Sequence, residues 1–176
     1  MSLPQAPKPA KLIIGLIMQD RTFIEPLTLE LCASYGPLDL VSAWMPFDYT
    51  TYYEPEMGAH LVRRMLAFKN LIRQNELPAI KLSTNRLEKE YSENGKRRVN
   101  LDPGYLLLER LVLASGKNFS HRIYLGEGIY ADLTLIYQHG AFEKLPWTYP
   151  DYADQPMLAF LQQVRSKYAV DLKKRS

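Results

Sequence analysis

The sequence predicts a single α+β domain built on a mainly antiparallel β-sheet. In the first hundred residues, strand and helix patterns follow one another in the order βαββαβ. A β-meander and a terminal helix come later in the chain. With 176 residues, of which 47% are apolar and 23% charged, the chain can build one well-buried core. We therefore expect residues 1–176 to form one domain, with residues 1–10 as a flexible N-terminal segment.

The chain begins with a strand and a helix. The run KLIIGLIMQ, residues 11–19, is typical of a buried strand. Thr22 and Glu25 predict a capping box at the start of the following helix, and Gly36 predicts its end. Residues 38–47 are a second apolar run with β-forming residues.

The next segment, residues 61–68, fits a helix as well as a strand, and we choose the strand. Asn75 can cap a further helix that Gly95 would end, and residues 97–101 would then form a strand. The resulting βαββαβ order is that of the ferredoxin-like split βαβ pattern, in which two helices cover one face of an antiparallel sheet.

Three further elements are predicted to extend this core. Asp102 and Pro103 would open a helix over residues 105–114, which is apolar nearly all round and should be deeply buried. The β-meander follows. A last helix would begin at about Pro156, with Asp154 as its cap.

The hairpin of the meander gives a definite register. If residues 126–128 form a three-residue loop, Arg122 faces Asp132 as a cross-strand ion pair. One face of the hairpin then carries the apolar side chains Ile123, Leu125, Ile129, Ala131 and Leu133. His121 falls on that apolar face.

The cysteine count and the short apolar runs favour a cytoplasmic protein. The single cysteine, Cys32, cannot form an internal disulfide. The apolar run of residues 12–18 is too short to span a bilayer, so no membrane association is expected. Acidic and basic segments alternate: residues 20–56 carry seven acids and one arginine, whereas residues 95–122 carry six bases and two acids. We expect these segments to neutralise one another, which makes a nucleic acid the less favoured partner.

Motifs for the common cofactors are missing from the sequence. It contains no Walker loop, no dinucleotide-binding GxGxxG after a strand, no CxxC, no HExxH and no GxSxG. With three histidines and one cysteine, zinc is not expected, and any metal site would rest on carboxylates that suit Mg²⁺ or Mn²⁺. The cofactor, if there is one, is left open.

Charged and polar residues are concentrated in core-like sequence between residues 95 and 132. Charges at the edge of a core are costly unless they are paired or used, so this concentration marks structural ion pairs or a binding site. The predicted ligand-binding residues are Arg98, Asn100, His121, Arg122 and Asp132, together with Asp48 and Tyr49 of the tyrosine-rich segment 47–57. We expect them to surround one hollow.

Asp102 and His121 are the candidate catalytic residues, and each has two interpretations. Asp102 would cap the predicted helix. In the alternative, Arg98 and Asn100 join the helix start to hold a phosphate or carboxylate, which requires Asp102 to be turned away or to hold a metal. His121 either performs acid–base chemistry near neutral pH or is a satisfied core residue. The more structural interpretation is favoured for both.

Four segments, VNLDPGY, SHRIYLGEGIYADLTL, WTYPDY and FDYTTYYEPEMG, resemble a bacterial domain-of-unknown-function family of about this length. The likeness spans most of the chain. Members are sometimes labelled GTP-binding proteins, and the missing phosphate-binding loop speaks against that label here. The resemblance implies a free-standing cytoplasmic domain and no particular activity.

Two functions remain open on the residues alone. The first is binding, with or without turnover, of a small anionic or phosphorylated ligand in a basic pocket. The second is a non-catalytic interaction module for a protein or RNA partner. A salt titration of RNA binding separates them, because contacts to phosphates weaken steeply with salt. Whether the chain is an enzyme and which oligomer it forms are not indicated by the sequence.

Overall fold

The computed structural model describes residues 1–174, and four helices and eleven strands lie in that part of the chain. The helices are α1 (Ile24–Tyr35), α2 (Glu54–Met57), α3 (Leu77–Glu90) and α4 (Gln155–Lys173). The strands are β1 (Ala10–Met18), β2 (Leu38–Val41), β3 (Met45–Pro46), β4 (Val62–Ile72), β5 (Ser92–Glu93), β6 (Lys96–Arg97), β7 (Val99–Leu106), β8 (Arg110–Ser115), β9 (Arg122–Gly126), β10 (Ile129–Gln138) and β11 (Ala141–Lys144).

Nine strands form one sheet in which every paired neighbour is antiparallel. Its order is β11-β10-β8-β7-β1-β4-β2, with β3 also on β4 and β9 also on β10. The predicted α+β class with a mainly antiparallel sheet is confirmed. The ferredoxin-like description of the first hundred residues stays a prediction, since the sheet continues past β7 into β8 and β10.

Strand β1 is buried on both faces of the sheet. All nine of its residues are buried, because α1 and α3 cover one face and α4 covers the other. Leu12 and Ile14 pack with α1 and α3, whereas Ile13 packs with α4. A strand covered on both sides has no position that faces water, which explains the continuous apolar run.

Most predicted elements are confirmed, but three of their ends differ. Residues 62–68 of the ambiguous segment 61–68 belong to a strand, β4, as chosen. The first helical segment is capped by the Asp20 carboxylate, which accepts a hydrogen bond from the Thr22 amide, so the predicted capping box is wrong. Asn75 lies inside a short 3-10 turn and does not cap α3, and Gly95 lies in the β5–β6 hairpin turn beyond the end of that helix.

The predicted helix over residues 105–114 is wrong. These residues form the end of β7, a short turn and most of β8. Adjacent residues such as Leu106 and Leu107, or Leu111 and Val112, are all buried because helices cover both faces of the sheet. Two-sided burial hides the alternation that identifies a strand, so the pattern resembled a helix that is apolar all round.

Strands β7 and β8 separate soon after their turn, and we call this separation the fork. They pair only from Gly104 with Leu113 to Leu106 with Leu111. The remainder of β7 therefore lacks a strand on that edge. Side chains of helix α3 bind the unpaired backbone groups of this edge instead. The buried Lys81 donates a hydrogen bond to the Leu101 carbonyl (2.8 Å), and the Leu101 amide donates one to Glu88 (2.6 Å).

Candidate functional site

The fork holds a cavity of about 940 Å³. Its walls come from β4, α3, β7, β8, the segment of residues 47–57, which we call the aromatic loop, and residues 149–152. This size is in the usual range for small-molecule sites. The cavity exists because β7 and β8 diverge and the side chains of α3 fill only part of the gap.

Arg63 of β4 is the central charge of the cavity lining. It is 3% exposed and lies between two aromatic rings, with its guanidinium carbon 5.0 Å from the Phe47 ring centre and 4.8 Å from the Tyr152 ring centre. It forms ion pairs with Asp102 (3.1 Å) and Asp151. Arg63 and Asp151 are both buried, and burial of the two charges is tolerated because they are opposite in sign, whereas the Asp102 side chain stays partly exposed.

Nη1 of Arg63 faces Asp151, but three other buried groups of the lining residues make no hydrogen bond within residues 1–174: Nε of Arg63, Nδ2 of Asn100 and the Tyr152 hydroxyl. Asn100 is 4% exposed, and its side-chain oxygen accepts a hydrogen bond from Arg97 (3.0 Å). Buried polar groups are nearly always hydrogen-bonded, so unpaired donors beside a cavity indicate a missing acceptor.

Tyr53 adds a hydroxyl group to the same wall. It makes no hydrogen bond to another side chain or backbone atom of residues 1–174. Burial, and then the negative charge of Asp102, raise the pKa of this hydroxyl. Tyr53 therefore stays neutral at physiological pH and can both donate and accept a hydrogen bond.

Three exposed cations line the cavity, Arg86, Lys89 and Lys117, and we call the part of the lining that they form the mouth. Arg86 and Lys89 of α3 have no ion-pair partner among residues 1–174. Lys117, in the loop after β8, donates to the hydroxyl of Tyr52 (2.9 Å). Around the whole cavity, six cationic side chains face four acidic ones.

Polar contacts fasten the aromatic loop across the cavity at three points. The Tyr49 hydroxyl donates to Asp154 at the start of α4 (2.6 Å), which raises the pKa of Tyr49 to about 12. Tyr52 accepts from Lys117 as described. Glu56 accepts two hydrogen bonds of 2.7 Å from the Arg97 guanidinium of β6.

Comparison with known proteins places the chain in a family. A sequence-family model described as a domain of unknown function, DUF4416, matches residues 8–168. The chain belongs to this family. No curated protein and no solved structure matches it. The predicted family resemblance is thereby confirmed, and it brings no activity with it.

Two features are lacking in the part of this family member that the structure describes. No helix between residues 1 and 174 is both long and apolar enough to cross a membrane. Across the same residues, histidine, cysteine, aspartate and glutamate side chains do not gather in a group of three or more that could hold a metal ion.

The structure brings some of the predicted site residues to one cavity and leaves others elsewhere. Asn100, Asp102, Asp132 and Tyr49 line the large cavity. Arg98 lines a separate pocket of about 430 Å³ and pairs there with Glu93, at 2.7 Å. His121, Arg122 and Asp48 line neither space. The predicted single hollow around all of these residues is therefore not found.

His121 and Arg122 form a buried cluster with Asp132. The Arg122–Asp132 cross-strand pair has the predicted register, with Nε 2.8 Å from the carboxylate. His121 lies just before β9, 3.3 Å from the same carboxylate, and stacks on Trp147 with ring centres 4.8 Å apart. Its predicted place on the apolar face is wrong, because the strand begins one residue later. Ile129 pairs with Gly126 through a bulge, so the loop is also shorter than predicted.

Asp102 lies in the middle of β7, opposite Gly15 of β1. It is not at a helix N-terminus, so both the capping role and the phosphate site at a helix start are wrong. Pro103, which favoured a helix start, sits just before the pairing with β8 begins. A missing N–H is tolerated at such an unpaired edge.

Sequence reasoning did not select Arg63, Arg86, Lys89 or Lys117. Only Arg63 carries a local signal, as a charged residue on a strand that is otherwise buried. The other three are ordinary surface cations in the sequence, and the fork alone brings them to one cavity.

The Glu56–Arg97 pair gives a prediction on pH. Hydrogen bonds from Arg97 outweigh burial and hold the pKa of Glu56 below its ordinary value. Its stabilising contribution is thus complete above the ordinary glutamate pKa and is lost as the pH falls through the lower folded-state pKa. We expect Glu56→Gln to lower the free energy of unfolding at neutral pH, and the difference from wild type to shrink on acidification. Urea denaturation at several pH values measures this.

Glu54→Gln is the matched control, because Glu54 is exposed on the same loop and has no ion-pair partner among residues 1–174. Its difference from wild type should stay near zero at every pH. Equal pH profiles for the two variants would refute the role of the Glu56–Arg97 pair.

Proposed function

We propose that this chain binds a small anionic molecule in the cavity at the fork. The observation that carries the proposal is the pair of unpaired, exposed cations at the mouth, Arg86 and Lys89, next to Lys117. Arg86 and Lys89 lie three residues apart on α3 and line the same cavity as Lys117, so an anion bound there can meet cations that have no acidic partner among residues 1–174. Arginine and lysine are also the usual partners of phosphate and carboxylate groups.

The floor of the cavity supports the same assignment. Arg63 and Asn100 lack acceptors for Nε and Nδ2 within residues 1–174, and a ligand oxygen would supply one. The volume of about 940 Å³ leaves room for a molecule considerably larger than a phosphate ion. We place the chain in the cytoplasm as part of this proposal, and turnover of the ligand is not required by it.

Isothermal titration calorimetry with inorganic pyrophosphate at low ionic strength tests the proposal. We expect wild type to bind and the double variant Arg86→Gln/Lys89→Gln to bind at least about tenfold more weakly, since each lost charge-assisted hydrogen bond costs about 1.5–3 kcal/mol. The control is Lys69→Gln/Lys144→Gln, which makes the same charge change at exposed positions outside the cavity.

Equal affinities of the two double variants, or no binding by wild type, would contradict the proposal. RNA binding that weakens steeply with salt, in place of pyrophosphate binding, would favour the alternative of an interaction module.

A further inference from the structure

The floor of the cavity offers hydrogen-bond donors and acceptors side by side. Asp102 accepts one hydrogen bond, from Arg63 to Oδ2, and its side chain remains 24% exposed. The Asn100 amide and the Arg63 Nε are donors without a partner among residues 1–174. The Tyr53 hydroxyl can serve in either role.

The acceptors among these groups disfavour an anionic group of the ligand at the floor, in addition to the one at the mouth. A carboxylate or phosphate there would satisfy Asn100 and Arg63 but would meet the negative charge of Asp102, with the buried Asp151 close behind on the same guanidinium. A ligand hydroxyl group has no such conflict. It can donate to Asp102 and accept from Asn100 at the same time.

The lining of the cavity is also rich in aromatic side chains. Five tyrosines line the cavity, namely Tyr49, Tyr52, Tyr53, Tyr149 and Tyr152. Tyrosine rings present an apolar face with a polar edge, so they can cover the C–H face of a sugar ring while the hydroxyl groups of that ring reach polar neighbours.

We infer that the ligand is a phosphorylated sugar or polyol. Its phosphate lies at the mouth on Arg86, Lys89 and Lys117, and its hydroxyl groups reach Asp102, Asn100 and Tyr53 at the floor. This inference rests on the proposed function and adds the chemical class of the part of the ligand that carries the phosphate.

Calorimetry with matched phosphate compounds tests the inference. The probes are glucose 6-phosphate and ribose 5-phosphate, with phenyl phosphate and inorganic phosphate as comparisons that carry the anionic group without hydroxyl groups on the body. We expect at least one of the two sugar phosphates to bind at least about tenfold tighter than both comparisons, which corresponds to one or two additional hydrogen bonds.

Two variants locate the added affinity. Asp102→Asn should weaken sugar phosphate binding about tenfold and leave inorganic phosphate binding within about twofold of wild type. Tyr53→Phe removes one hydroxyl without a change of charge and should weaken sugar phosphate binding about threefold. Tyr130→Phe is the control, since Tyr130 is half-buried and lies outside the cavity.

Failure of the inference differs from failure of the proposed function. If phenyl phosphate and inorganic phosphate bind as tightly as the sugar phosphates, and binding still depends on Arg86 and Lys89, the ligand class is wrong and the anion site stands. If sugar phosphates bind best but Asp102→Asn and Tyr53→Phe match the control, the inference is overturned as well. If no probe binds through Arg86 and Lys89, both are wrong.

Discussion

Replacing Arg63 with methionine is expected to lower the free energy of unfolding by about 3–5 kcal/mol, as is typical when one member of a buried ion pair is removed. Methionine keeps much of the length and the apolar contact with the Phe47 and Tyr152 rings. It leaves Asp151, whose side chain is 8% exposed, without its cation, and Asp102 loses the same partner. Urea denaturation at neutral pH measures the loss.

Two further variants make this result specific. Arg73→Met removes an arginine whose side chain is 78% exposed, and it should change stability by no more than about 0.5 kcal/mol. Adding Asp151→Asn to Arg63→Met should restore part of the loss, because the orphaned carboxylate is then removed. A loss below about 1 kcal/mol for Arg63→Met would show that the pair is not desolvated as the structure indicates.

Gly104→Ala is expected to destabilise the protein by about 3 kcal/mol, near the upper end of the usual range for overpacking. A Cβ atom at this position would lie 2.5 Å from the Val112 carbonyl oxygen and 2.7 Å from a Leu113 methyl group. The first of these is backbone, so it can move only if β7 and β8 separate. Gly104 pairs with Leu113 at the point where the fork opens, and we expect the cavity to lose its shape together with the stability.

Gly116→Ala is a matched control for Gly104→Ala. Gly116 also lines the cavity, but a Cβ there has no atom within 4 Å. Its effect should stay within about 0.5 kcal/mol, with a slight stabilisation from reduced freedom of the unfolded chain. Thermal unfolding of the two variants side by side checks the contrast. Similar melting temperatures would mean that the strands at the fork adjust freely.

The parts of the fold that depend on residues close together in the sequence could be predicted from the sequence. The buried strand β1 follows from an uninterrupted apolar run, and α4 follows from its Asp154 cap and helical periodicity. The Arg122–Asp132 register follows from turn residues and alternation within one hairpin. These signals are local, so they survive without knowledge of the rest of the molecule.

The candidate site could be predicted only in part. Asn100, Asp102 and Asp132 are predicted as polar residues in core-like sequence and Tyr49 as part of the tyrosine-rich segment, and all four line one cavity. Arg98 and His121 were selected by the same criterion and are engaged elsewhere, by Glu93 and by Asp132. The criterion recognises buried charge, but it does not distinguish a charge paired inside the fold from one that faces a cavity.

The sequence by itself determined the α+β class, the positions of most strands and helices, and the hairpin register of the meander. The tertiary structure alone decided that residues 105–114 form two strand segments and their turn, that β7 and β8 diverge, and that Arg63 contacts both Asp102 and Asp151. The physical reason is the separation of the contacts along the chain. Arg63 and Asp151 approach one another only after β4 and the segment before α4 have packed on the same sheet, and no local pattern encodes that meeting.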